Sequence, residues 1–197
     1  MSHDVLERAG LTQAAALKAG LGGEAAALSR PGLTPRQYLD ALASAGRWPE
    51  AVGFLAWALP RREAVWWACQ CVRQALPPGE AGPARAALEA AERWAAAPTD
   101  ENRRAAFAAA EAADFGTPAG CLGAAAFWSG GSMAPPKLPP VPPAEHLMPG
   151  AVVNAVQLAA VCRGPEKAAE KYRTFLALAA DVAAGKNRWK DPAPAGR

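Results

Sequence analysis

The chain has 197 residues, 51% of them hydrophobic, and a formal net charge of +3. That length suffices for one domain with a real core, and so mild a charge gives no reason to expect nucleic acid or an anionic membrane as the main partner. No run of about eighteen apolar residues occurs, so no transmembrane helix is expected; nor is a secretory signal, because the first twenty residues carry early acids and no apolar stretch.

The first thirty or so residues read as one or two short helices broken at Gly20, Gly22 and Gly23. From there the helix starts are well marked. "LTPRQYLDALASAG" places Thr34 as N-cap, Pro35 at the first helical position and Gln37 where a capping box needs it. "RWPEAVGFLAWALP" starts at Pro49 and sets Val52, Leu55, Ala56 and Leu59 on one face. Pro60 opens "RREAVWWACQCVRQAL", where Val65, Cys69, Val72 and Leu76 form the central apolar stripe and Trp67 widens it. "PARAALEAAERWAAAP" begins near Pro83 and spaces Arg85, Glu89 and Arg93 four apart, as exposed ion pairs require. "TDENRRAAFAAAEAADFG" has an acidic first turn suited to the positive end of a helix dipole. "TPAGCLGAAAFWSGG" starts at Thr117 and Pro118 and stops at the glycine pair.

The linker "SGGSMAPPKLPPVPPAEHLMP" is the one clear shift in composition. Its prolines at Pro135, Pro136, Pro139, Pro140, Pro142 and Pro143 favour an extended polyproline II course, expected to run over the main body. After it, "PGAVVNAVQLAAVCRG" is polar only at Asn154 and Gln157 and should be buried nearly all round. "GPEKAAEKYRTFLALAADVAAGK" is amphipathic through Ala168, Tyr172, Phe175, Leu176, Ala179, Val182 and Ala183.

No segment alternates as a half-buried strand does. The expected fold is all-α: helical hairpins packed as an irregular bundle or a short α-solenoid-like array, with the proline-rich strap before the last two helices. The expected divisions are an N-terminal helical segment (1–33), a main body (34–130), the strap (131–148), two C-terminal helices (149–186) packing on the body, and a flexible basic tail (187–197). The many alanines let helices approach closely, leaving seven Trp and five Phe to fill the gaps.

Candidate sites are few. On one helix Cys69 and Cys71 point about 200° apart and cannot share a metal. Cys121 and Cys162 lie on other predicted helices among apolar neighbours, so all four cysteines read as buried and structural, and their irregular spacing fits a reducing cytoplasm. His3 and His146 stand beside no nucleophile in sequence, Glu63, Glu170 and Asp181 fall on solvent faces, and no phosphate loop, HExxH or GxSxG is present. Catalytic residues, metal ligands and cofactors are therefore not expected. "KLPPVPP" matches the basic-x-x-Pro-x-x-Pro pattern that SH3-type domains read, but such matches are common in proline-rich chains. "GKNRWKDP" gathers Lys186, Arg188, Trp189 and Lys190 into a small basic-aromatic cluster, too little to point to nucleic acid. The remaining candidate is Trp66, which falls with Arg62, Gln70 and Arg73 on the polar face of its helix. It is either covered by the strap or a neighbouring helix, or a contact anchor for a protein partner.

Three segments, "LPRREAVWWACQCVR", "GGSMAPPKLPPVPP" and "GPEKAAEKYRTFLALAADVAAGKNRW", together resemble a family of uncharacterised bacterial helical proteins associated with type VI secretion gene neighbourhoods, over roughly residues 49–189. The resemblance brings no catalytic residues. It implies a cytoplasmic accessory, adaptor or chaperone-like protein that binds a secretion component or effector. The alternatives are a secreted effector or small enzyme with a site not visible in sequence, or an immunity protein.

Overall fold

The computed structural model describes residues 4–7 and 11–189. Among these, every regular element is helical: a 3-10 turn at Val5–Glu7, then α1 (Leu11–Lys18), α2 (Gly23–Leu28), α3 (Pro35–Ser44), α4 (Trp48–Ala58), α5 (Arg61–Ala75), α6 (Pro83–Ala96), α7 (Asp100–Ala113), α8 (Pro118–Trp128), α9 (Leu147–Val161), a second 3-10 turn at Pro165–Lys167, and α10 (Ala168–Ala183).

The helix starts are where local chemistry puts them. Thr34 Oγ1 accepts from the Gln37 amide at 3.3 Å while the Thr34 amide donates to Gln37 Oε1 at 3.0 Å, a complete capping box. Thr99 and Thr117 cap α7 and α8 through the amides of Asn102 and Gly120. Pro35, Pro83 and Pro118 occupy first-turn positions, where a missing N–H costs nothing.

Helix α8 lies at the centre. From Ala119 to Phe127 none of its residues reaches solvent appreciably, and α5, α6, α7 and α9 close around it. Small residues make this geometry available. A Cβ on Gly123 would stand 2.6 Å from the Ala106 carbonyl oxygen and 2.8 Å from the Ala110 Cβ, so α7 and α8 touch almost backbone to backbone. Helix α9 spans α4, α5 and α8, and α10 turns back by 110° to lie on α5. There the buried Trp67 indole donates to the Phe175 carbonyl at 2.8 Å. The N-terminal helices α1–α3 pack on α4 or on each other, with Tyr38 edge-on to Phe54 at 4.9 Å and its hydroxyl donating to the Ala25 carbonyl. Because α9 returns to helices far back in the chain, the arrangement is an irregular bundle rather than a one-way solenoid, in which each unit meets only its neighbours.

Arg103 is 4% exposed and ties α7 to the end of α8. It donates to the Phe127 carbonyl at 2.8 Å and the Ser132 carbonyl at 2.7 Å, pairs with Asp100, and lies 4.5 Å over the Phe127 ring. Gly131, at φ +66°, passes so close that any Cβ there would sit 2.9 Å from the Arg103 Nε. Arg104 holds the next part of the linker through the Ala134 carbonyl at 2.8 Å.

The proline-rich segment leads to α9, but it does not stretch across the body. The Met133 amide donates to the Val141 carbonyl at 2.8 Å, and Ser132 Oγ accepts from the Ala134 and Val141 amides, so the segment is pinched into a loop. Its tip turns at Lys137, whose φ of +78° breaks a polyproline II course between Pro136 and Leu138. Pro135, Pro136, Pro139, Pro140 and Pro142 are exposed and Pro143 half-buried. Prolines offer no amides, so the few N–H groups left in the segment and the two arginines decide its course.

Two predictions follow from these contacts. Gly123→Ala should destabilise the fold by about 2 kcal/mol, a drop in Tm of about 5 °C, because overpacking outweighs the roughly 1 kcal/mol that alanine gains in helix propensity; thermal unfolding by circular dichroism checks this. Hydrogen bonds from Arg104 and then Arg103 hold the Asp100 carboxyl below its ordinary range. A folded pKa below the unfolded one adds stability above the unfolded value and loses it as pH falls through the folded value. Asp100→Asn should therefore melt lower than wild type at neutral pH, with the gap closing as acid protonates Asp100.

Candidate partner-binding groove

The outward face of α5 meets α6 and the last described residues in an open groove of about 630 Å³. Trp66 stands half-buried in it. Its indole N–H donates to the Asn187 carbonyl at 2.7 Å, and its ring meets the Trp189 ring edge-to-face with centroids 6.2 Å apart. Arg62 lies on the same side but is committed to the end of α6. Its Nε donates to the Ala95 carbonyl at 2.6 Å and its Nη2 to the Ala96 carbonyl at 2.8 Å, satisfying acceptors that the helix end leaves open. The same guanidinium stacks 3.9 Å over the Trp189 ring. Arg188 reaches to 4.0 Å from Glu63.

The far wall carries mixed charge. Arg73 pairs with Glu92, whose carboxyl is pushed up by burial against the opposing pull of that arginine. Glu89 pairs with Arg85 at 2.8 Å, and Arg93 completes the rim.

Of the four residues expected to anchor a partner, Trp66 and Arg73 line this groove. Gln70 is half-buried and lies outside the lining. Arg62 is a helix-capping and ring-stacking residue as much as a surface one. Trp66 is covered by neither the strap nor a packed helix: residues 187–189 cover it. That part of the expected basic tail (187–197) is seated on α5; the remainder, Lys190 included, lies outside the described residues, as does His3. The basic-aromatic cluster read from sequence contains Trp189, but nothing local says that it folds back 123 positions to Trp66.

A second cavity, about 290 Å³, contains a grouping that sequence order hides. Cys121, His146 and Asn154 line it together with Phe115 and Trp128. The Cys121 thiol donates to the Phe115 carbonyl at 3.0 Å, and its pKa is raised by burial and then by Asp114. A nucleophilic cysteine needs the opposite shift, so these surroundings disfavour the thiolate. Cys69 and Cys71 are fully buried, and burial pushes both thiols well above their ordinary range. Cys162 corrects the expectation of four buried cysteines: it follows the last turn of α9 and is exposed. Among the described residues, no group of three or more His, Cys, Asp or Glu side chains is placed to hold a metal ion, and no single helix is long and apolar enough to cross a membrane.

Fold and groove together define an all-helical bundle with a tryptophan-floored surface groove. A family model described as a family of unknown function, DUF6931, matches residues 38–183, and the chain belongs to that family. The match begins at Tyr38, where α3 buries its first aromatic side chain, and ends before the segment that covers Trp66. No curated protein and no solved structure matches the chain.

Thiol labelling under native conditions checks the cysteine assignments. With iodoacetamide at pH 7.5, mass spectrometry should find Cys162 modified first and Cys121 at least about tenfold more slowly, since reactivity follows thiolate fraction and access. Cys69 and Cys71 should stay unmodified until the chain unfolds.

Proposed function

We propose that the chain is a non-enzymatic, cytoplasmic protein–protein interaction protein, an accessory, adaptor or chaperone-like component of bacterial type VI secretion. The observation that carries the interaction reading is the groove on α5 and α6, where the half-buried Trp66 lies among paired arginines and glutamates. Tryptophan and arginine dominate the binding energy of many interfaces, and a groove with a desolvated aromatic floor and a charged rim is the arrangement in which they do so. The secretion context rests on the resemblance of the three sequence segments.

A small enzyme or secreted effector has one observation in its favour, the shared cavity of Cys121, His146 and Asn154. The raised thiol pKa of Cys121 and its donation to a backbone carbonyl weigh against that reading.

The test is affinity capture from a lysate of a bacterium that encodes the secretion system, with wild type, Trp66→Ala and Arg73→Glu as baits. Each bait is first shown by circular dichroism to be folded. Wild type should retain a type VI secretion component or effector, and each variant should bind it about thirtyfold more weakly, the equivalent of losing roughly 2 kcal/mol. Equal retention by all three would move the contact elsewhere. Retention of no secretion component by any of them would overturn the adaptor reading.

A further inference from the structure

Residues 187–189 do more than cover Trp66: hydrogen-bonding, ionic and ring contacts join them to α5. Four contacts fall on three consecutive residues, and each is of a different chemical kind. The Asn187 main-chain carbonyl accepts from the Trp66 indole. The Arg188 side chain faces the half-buried Glu63 carboxylate. The Trp189 ring takes the Arg62 guanidinium on its face at 3.9 Å and meets the edge-to-face Trp66 ring. Arg62 is held in place by two carbonyls at the end of α6, so its flat face is offered ready-oriented. Glu63 and Trp66, on neighbouring turns of α5, are likewise positioned by the helix. The covering segment, by contrast, lies beyond α10 and beyond the residues that the family model matches, and Asn187 takes a left-handed backbone conformation at φ +49° to bring its carbonyl round.

We infer that this face of α5 is a recognition site for an extended protein segment carrying a basic residue followed by an aromatic one, and that the chain's own residues 187–189 are its resident, competing occupant. This rests on the adaptor reading for its biological sense but not for its chemistry. The partner segment presents a backbone carbonyl to Trp66, a cation to Glu63 and a ring to Arg62. Because the resident segment is tethered, it acts at an effective concentration in the millimolar range, and a partner displaces it only when its own concentration relative to its Kd exceeds that of the resident. The site is thereby biased against weak matches and opened by strong ones.

The experiment uses the full chain, ¹⁵N-labelled, as wild type and as Trp189→Ala, which removes the ring that rests on Arg62 and against Trp66 and so opens the site. The Trp66 indole cross-peak, assigned through Trp66→Phe, is followed while a synthetic peptide of residues 183–190 is added. In the Trp189→Ala chain the peptide should return the Trp66 indole resonance towards its wild-type position with saturation. Wild type should need at least about threefold more peptide for the same occupancy, since its attached segment competes. The same peptide carrying Trp189→Ala or Arg188→Glu should leave the resonance in place. A Trp66 signal that never moves in the opened chain, or that moves equally with the altered peptides, would overturn the site. Identical titrations of the two chains would overturn the competition. Lysate capture that finds no secretion partner leaves this titration unaffected, so the two readings fail separately.

Discussion

Helix α8 has no outward face, and the rest of the bundle is arranged around that fact. A helix buried on all sides can exist only where its neighbours approach from every direction, so its residues must be small or must fill a fixed gap. Between Ala119 and Phe127 the chain supplies alanine and glycine almost throughout, with Leu122, Cys121 and Phe127 as the larger exceptions. Gly123 sets the distance to α7. Burying the helix also buries its C-terminal carbonyls, which then need donors from outside it. Arg103 of α7 reaches the Phe127 carbonyl and Arg61 of α5 the Ser129 carbonyl at 3.0 Å, and the same pair of neighbouring helices thereby fixes where the proline-rich loop begins. Packing at the centre and the course of the surface loop are one problem with one solution.

Helix α5 divides its two adjacent tryptophans between opposite tasks. A step of about 100° turns Trp67 into the core, where it reaches the backbone of α10, and leaves Trp66 on the rim of that packing. Both indoles donate to main-chain carbonyls far along the chain, Phe175 in one case and Asn187 in the other. The difference lies in the partner. Phe175 sits inside a helix packed along its length, whereas Asn187 belongs to three residues held by an indole hydrogen bond, a stacked guanidinium and a distant ion pair. The first contact is part of the packed core; the second is a small set of contacts at its edge.

Charge on the outside of the bundle is mostly balanced in pairs, Arg73 with Glu92 and Arg85 with Glu89 at the groove and Arg104 with Asp100 on α7. Exposed pairs of this kind contribute little stability each. Around the groove the Arg73–Glu92 and Arg85–Glu89 pairs keep both signs close together, so the long-range field there is weak. The small net charge of the chain and the mixed rim of the groove express the same balance.

What the sequence determined by itself is what neighbouring residues can settle. Thr34, Thr99 and Thr117 cap the helices they precede, and the apolar period marks Tyr172, Phe175 and Leu176 as an inward face, because capping and amphipathicity act within one or two turns. The near absence of polar residues in α9 likewise announced its burial. Only the tertiary structure decided the rest: that α9 returns across α4, α5 and α8, that the prolines close into a loop through Met133 and Val141, that Cys162 faces solvent, that His146 shares a cavity with Cys121, and that Trp189 lies on Arg62 beside Trp66. Each of these joins positions whose separation along the chain says nothing of their separation in space. Their energies come from contacts that exist only after the helices have packed, and no local pattern of residues records them.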